Sequence, residues 1–199
     1  MKNELKGYDR VARFYDFLKS GDSRRWKESQ TNFFKNLKGK VLYVGIGTGQ
    51  EIVNFPPNLN IYAIDISINM LKNANRRIQQ YPGSIKPILM NVETLGFPDY
   101  TFDSIVTVCV FCTVKNPIEG FKELSRVLKP KGKIYSFEHV LSKNPIFSLI
   151  LKNMNMLSTR LSGTRLDRVT ASNINKAGLR IESETNIYQD IVKAFVSCS

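Results

Sequence analysis

Soft metal ligands are scarce in this chain. Its 199 residues include one histidine, His139, and three cysteines, of which two form Cys109-Val-Phe-Cys112 and the third is Cys198. That stock cannot supply a zinc set with the usual ligand spacing, so no metal is expected. An odd number of cysteines also speaks against a disulfide framework and for a reducing compartment. No apolar run reaches the length of about 18 residues that a membrane span requires. The first residues, Met1-Lys-Asn-Glu-Leu-Lys6, lack the apolar stretch of a signal peptide, and the expected setting is cytoplasmic.

Acidic residues are short in supply too. Seventeen Asp and Glu stand against 29 Lys and Arg, a formal net charge of +12. The excess is uneven: residues 1–40 carry +6, residues 41–139 only +2, residues 140–170 +4, and the remainder is neutral. An anionic partner at these flanks, whether membrane surface, nucleic acid or acidic small molecule, is one reading, and plain solubility is the other. The length suits one domain, 1–199.

What the sequence does have is a glycine turn. Val41-Leu-Tyr-Val-Gly-Ile-Gly-Thr-Gly-Gln-Glu51 reads as a buried strand entering Gly45, Gly47 and Gly49, and Asp65 follows at the tip of a second apolar strand. Glycine permits the tight turn and the close approach of backbone to a ligand, and an Asp at that place can accept from two ribose hydroxyls. The spacing is G-x-G-x-G, not the G-x-G-x-x-G of dinucleotide folds.

The rest alternates. Pro56-Pro57 ends a short helix, Asn60–Asp65 is a strand, and Ser67 caps a helix over 68–81. Further strands are expected at 86–90, 102–109 and 133–139, with a helix from Asn116-Pro117 stopped at Lys129-Pro-Lys-Gly132. Strands joined by crossover helices require a parallel sheet, which makes the fold doubly wound α/β. Near the end, a helix over 170–177 precedes strands at 179–187 and 191–197, joined so closely that they must be antiparallel.

With Tyr8-Asp-Arg-Val-Ala-Arg-Phe-Tyr-Asp16, Val44-Gly-Ile-Gly-Thr-Gly49, Ile64-Asp-Ile-Ser67, the stretch Asn91–Asp103 and Glu123-Leu-Ser-Arg-Val-Leu-Lys-Pro-Lys-Gly132, the chain resembles the class I S-adenosylmethionine-dependent methyltransferases. The branch it looks like holds quinone C-methyltransferases, bacterial phosphatidylethanolamine N-methyltransferases and mammalian thiol methyltransferases. Val110–Asn116 and Phe137-Glu-His-Val140 look most like the phospholipid and thiol enzymes.

The resemblance implies a Rossmann-like sheet, mostly parallel with an antiparallel C-terminal strand, and S-adenosyl-L-methionine as cofactor. It implies that Asp65 holds the ribose, that Ile66 and Met70 sandwich the adenine, and that Asn91, Val92 and Glu93 lie at its polar edge. Gly45, Ile46, Gly47, Gly49 and Cys109 would pass the methionine portion. Ile66 and Met70 suit a core equally well. Tyr43 stands where the family usually carries an acid that organises the loop and the ammonium group, so another group must do that work. Asn91 stands where Asp is common.

Two segments would shape the acceptor side. Residues 1–37 place Leu5, Tyr8, Val11, Ala12, Tyr15 and Leu18 on one helical face, and Asp22 or Ser23 then caps a second helix carrying Trp26, Phe33, Phe34 and Leu37. This reads as a lid on the sheet or as a basic amphipathic surface on an anionic bilayer. Tyr8 and Tyr15 resemble residues that close over cofactor and acceptor. Residues 140–168 form an apolar, methionine-rich insertion that turns basic at Arg160, Arg165 and Arg168. It suits an acyl chain and a phosphate, or a core helix with a solvated end.

His139, beside Glu138 at a strand's C-terminal end, suits a proton acceptor. The expected activity is N-methylation of a membrane lipid amine such as phosphatidylethanolamine, by Tyr8, His139 and Glu138, with peripheral contact at the inner face of the membrane. Thiol S-methylation, quinone C-methylation and cofactor binding without turnover are the alternatives. Nucleic acid ranks lower as a partner: no Asn/Asp-Pro-Pro-aromatic motif follows the fourth strand and no Pro-Cys nucleophile occurs.

Overall fold

The computed structural model describes the backbone of residues 15–142, 144–145, 149, 165 and 167–199, with side chains from residue 25 onward. Its elements in chain order are α1 (Tyr15–Phe34), β1 (Lys40–Val44), a 3-10 turn (Gln50–Asn54), β2 (Asn60–Asp65), α2 (Ile68–Gln80), β3 (Ser84–Leu89) and β4 (Phe102–Val108). There follow α3 (Pro117–Val127), β5 (Leu128–His139), α4 (Thr170–Lys176), β6 (Arg180–Tyr188) and β7 (Val192–Cys198).

The strands make one sheet in the order β3-β2-β1-β4-β5-β7-β6. The first five pair in parallel, and β7 runs antiparallel to both its neighbours, as the closely joined C-terminal strands require. β3 forms one margin of the sheet and its ladder with β2 passes unbroken through Pro87, opposite Ala63.

Helices cover both faces, which is why the central strands read as continuous apolar runs. Successive side chains point to opposite faces. Val41 and Tyr43 of β1 join one core with Trp26, Phe34, Leu37 and Phe55, while Leu42 and Val44 join the other with Phe111, Phe121 and Leu124.

Two boundaries correct the sequence reading. The break expected at Asp22 or Ser23 does not occur: α1 runs through both. Gly21 costs a helix about 1 kcal/mol relative to Ala, less than is gained by burying Trp26 and Phe34, which the continuous helix brings onto the sheet. The stop at Lys129–Gly132 is likewise no gap before β5. Phe102 pairs with Leu128 and Ser104 with Lys133, so those residues are an excursion inside one strand.

Tyr8 and the remaining hydrophobic face of residues 5–12 lie outside the described residues, as do the side chains of Tyr15 and Leu18 and most of the 140–168 insertion. Among the described residues no helix is long and apolar enough to cross a membrane.

Candidate functional site

The strand order turns around between β1 and β4, so the connections leave in opposite directions and a crevice opens beyond the strands' C-terminal ends. Gly45 follows the end of β1, Asp65 ends β2, Asn91 lies just past β3, Cys109 follows β4 and His139 ends β5. One edge of the sheet gathers them all.

The glycine loop is built by backbone conformation. Gly45, Gly47 and Gly49 have φ of 63°, 56° and 78°, the left-handed region that side chains disfavour. The turn aims the Gly47 N–H at Asp65 Oδ2 (2.8 Å), and the Ser67 N–H donates to Asp65 Oδ1 (2.8 Å). Burial pushes the Asp65 carboxyl up from its ordinary value, although N–H groups of Ser67, Gly47 and Ile66 work in the other direction. Ile46 is buried in the core and its N–H continues the pairing to the Ile64 carbonyl (3.1 Å). What Ile46 offers a ligand is therefore backbone.

Around this loop lie supports that the sequence did not reveal. Arg77 Nη1 donates to the Thr48 carbonyl (2.9 Å). Tyr43 is fully buried with its ring edge-on to Phe55, and its hydroxyl donates to Glu51 Oε2 (3.1 Å). The acid beside the loop is thus carried by the 3-10 turn and reached by the tyrosine. A Glu two residues past the last glycine was the available signal.

Ile66 is exposed at the rim, whereas Met70 is buried and its N–H is capped by Ser67 Oγ. Val92 is a core residue. Asn91 Oδ1 accepts from the Glu93 N–H (3.0 Å). The Glu93 carboxylate takes the Asn116 N–H (2.7 Å) and Nδ2 (3.2 Å), fixing the start of α3. At this edge, Val92 and Glu93 present backbone.

Beyond β4, Cys109 is half-buried with φ 51° and donates its N–H to the Phe137 carbonyl (2.8 Å). Glu138 is wholly buried and accepts from Thr107 Oγ1 (2.8 Å). Glu138 and His139 are consecutive in β5, so their side chains point to opposite faces of the sheet. They do not form the side-by-side pair that the sequence suggested. The exit of the insertion reaches the same loop: the Arg165 N–H donates to the Cys112 carbonyl (2.8 Å), and the Arg168 guanidinium donates to the Val114 carbonyl. Burial, then the nearby Arg165, pulls Arg168 below its ordinary value.

Residues 42–136 match the model of the methyltransferase domain family. Among curated relatives, the chain is 30% identical over 151 residues to the ubiquinone/menaquinone biosynthesis C-methyltransferase UbiE of Geobacter sulfurreducens, covering 70% of this chain and 59% of that protein. It is 27% identical over 173 residues to the phosphatidylethanolamine N-methyltransferase of Cereibacter sphaeroides, covering 83% of this chain and 84% of that one. The thiol S-methyltransferase TMT1B of Rattus norvegicus is 31% identical over 137 residues, 65% of this chain and 54% of its own length. Residues 42–136 thus form a domain of the class I S-adenosylmethionine-dependent methyltransferase type. The fold agrees: a SAM-dependent methyltransferase from Leishmania major superposes with a TM-score of 0.72 at 19% identity, covering 98% of this chain and 82% of its own. The chain spans about three fifths of the length of the quinone relatives it matches.

The family's cofactor, S-adenosyl-L-methionine, suits the residues present. Asp65 accepts N–H groups at 2.8 Å on both carboxylate oxygens, and a carboxylate's two oxygens together offer about four lone-pair sites, so capacity remains for a ribose hydroxyl. Exposed Ile66 beside it offers an apolar face to a purine. The residues that would hold the group are Asp65, the glycine loop and the backbone of 91–93.

Proposed function

We propose that the protein transfers a methyl group from S-adenosyl-L-methionine to the amine of a membrane phospholipid, with phosphatidylethanolamine as acceptor. The observation that carries this reading is length. The match to the phosphatidylethanolamine N-methyltransferase covers 84% of that relative, whereas the quinone and thiol enzymes are covered to 59% and 54%. Exposed Arg25, Lys27, Lys35 and Lys38 on and after α1 add a cationic surface suited to anionic lipid.

The cofactor, when bound, supplies an electrophilic methyl on a sulfonium. The chain must hold the acceptor in line, exclude water and take one proton, since an ammonium headgroup becomes nucleophilic only as the free amine. His139 lies at the crevice end of β5, on the sheet face shared with Phe137 and α1, and is the residue we assign to that proton. Tyr8 and Tyr15 of the N-terminal segment are proposed to close over cofactor and acceptor.

The test is transfer of labelled methyl from S-adenosylmethionine into the organic extract of mixed anionic vesicles with and without phosphatidylethanolamine. Label that requires this lipid supports the proposal. Absence of label in a preparation that binds the cofactor overturns it and turns the search to thiols and quinones, or, if these also fail, to a cofactor-binding protein without turnover.

A further inference from the structure

The carboxylate of Glu138 is an unusual group to find inside this fold. It is wholly buried near the end of β5, where an apolar side chain would avoid the desolvation of a charge. It accepts from Thr107 Oγ1 at 2.8 Å and from the N–H groups of Val110 and Phe111 at 3.3 Å each. What it does that a hydrocarbon cannot is hold two successive amides of the loop after β4.

That loop bends sharply, with Cys109 in the left-handed region at φ 51°. The bend sends Val110 back toward β1. A Cβ built on Gly45 would lie 2.5 Å from Val110 Cγ2, so the valine occupies the volume that any residue other than glycine would need. The buried carboxylate of β5, the loop after β4 and the first glycine of the cofactor loop are thereby in contact through one side chain.

We infer that Glu138 is a positioning residue: by holding the Val110 and Phe111 amides it seats Val110 against Gly45 and sets the width of the crevice between the glycine loop and the end of β4. The inference rests on reading that crevice as the cofactor site. It replaces the acid–base role expected for Glu138 from its place in the sequence. The carboxylate is engaged with backbone on the face of the sheet opposite His139, and proton transfer stays with the histidine.

The experiment compares Glu138→Gln, Val110→Ala and Thr107→Val with the wild-type protein, by hydrogen exchange and by calorimetry with S-adenosylhomocysteine. Glu138→Gln keeps the size but turns an NH2 toward donors. Its Val110 and Phe111 amides are expected to exchange about tenfold faster or more, and affinity to fall about tenfold. Val110→Ala keeps the clamp and loses only the contact, so affinity falls while those amides stay protected. Thr107→Val weakens both readouts, and Thr107→Ser restores them.

Once an acceptor is in hand, the pH profile of single-turnover transfer by Glu138→Gln keeps the limbs of the wild type. Wild-type exchange and affinity in Glu138→Gln overturn the inference, as does the loss of a limb in its pH profile. If Glu138→Gln does not fold, Val110→Ala decides, and wild-type affinity there overturns the inference. A wild-type protein that does not bind the nucleoside sinks the cofactor reading instead, and the exchange comparison still reports on the clamp.

Discussion

With the ribose contact proposed for Asp65, cofactor binding is most exposed to a single change at this residue. Hydrogen bonds to a charged group contribute about 1.5–3 kcal/mol each, so removing two in Asp65→Ala should lower S-adenosylhomocysteine affinity by at least about a hundredfold. Calorimetry checks this, and unchanged affinity removes the ribose assignment. Because burial raises its pKa, acidification protonates Asp65 earlier than an ordinary aspartate, and affinity should fall as pH drops through that raised value. The folding contribution has the opposite sign. A raised folded-state pKa stabilises fully below the unfolded value and is lost as pH rises through the folded one. A calorimetric titration downward from neutral pH tests the binding half, with Asp65→Asn as the variant that should lose the dependence. His139→Gln should leave cofactor affinity unchanged and cut turnover on a confirmed acceptor by about 10²–10⁴-fold. Full turnover would remove its role. The glycines and Asp65 were legible because their meaning is local, a turn and a strand tip. The Glu138 clamp was not, because Thr107, Val110 and Phe111 lie 27 to 31 residues away in sequence.

Among the elements, α1 is the one whose role the structure changes most. Its apolar residues could have faced a bilayer, but Trp26 and Phe34, with Leu37 just past the helix, are buried against the sheet. Gln30 Oε1 accepts from Asn54 Nδ2 (2.7 Å), a buried bond that ties the helix to the turn after the glycine loop. The helix is thus fastened to the far end of the glycine loop. Phe34→Ala should cost about 3–5 kcal/mol, read from the midpoint of urea denaturation. A cost near zero would show that the helix packs elsewhere. Strands β2 and β4 and helices α2 and α3 were legible to within a residue or two, because apolar periodicity, Ser67 and Pro117 mark them. The run of α1 past Gly21 and the excursion of β5 at Lys129–Gly132 were not. In both, tertiary pairing outweighs local breakers: Phe102 with Leu128 holds β5 together across Pro130 and Gly132.

For the whole molecule, the question is how a compact sheet meets its acceptor. The class of architecture was legible through alternation and the closing antiparallel pair, whereas the order 3-2-1-4-5-7-6 follows from crossover packing that no single segment carries. Binding to vesicles containing anionic lipid should weaken as salt rises from about 0.05 to 0.5 M, since the Debye length contracts from above to below the spacing of surface charges. Co-sedimentation reads this out. Binding that ignores both salt and anionic lipid would show that the cationic residues serve solubility. At the margin of the sheet, Pro87 has a consequence of another kind. With the β2 ladder intact across it, the N–H that proline lacks is the one that would have faced outward. A strand from a neighbouring molecule therefore meets a missing rung midway along β3 and cannot extend the sheet there, which guards the protein against edge-to-edge aggregation.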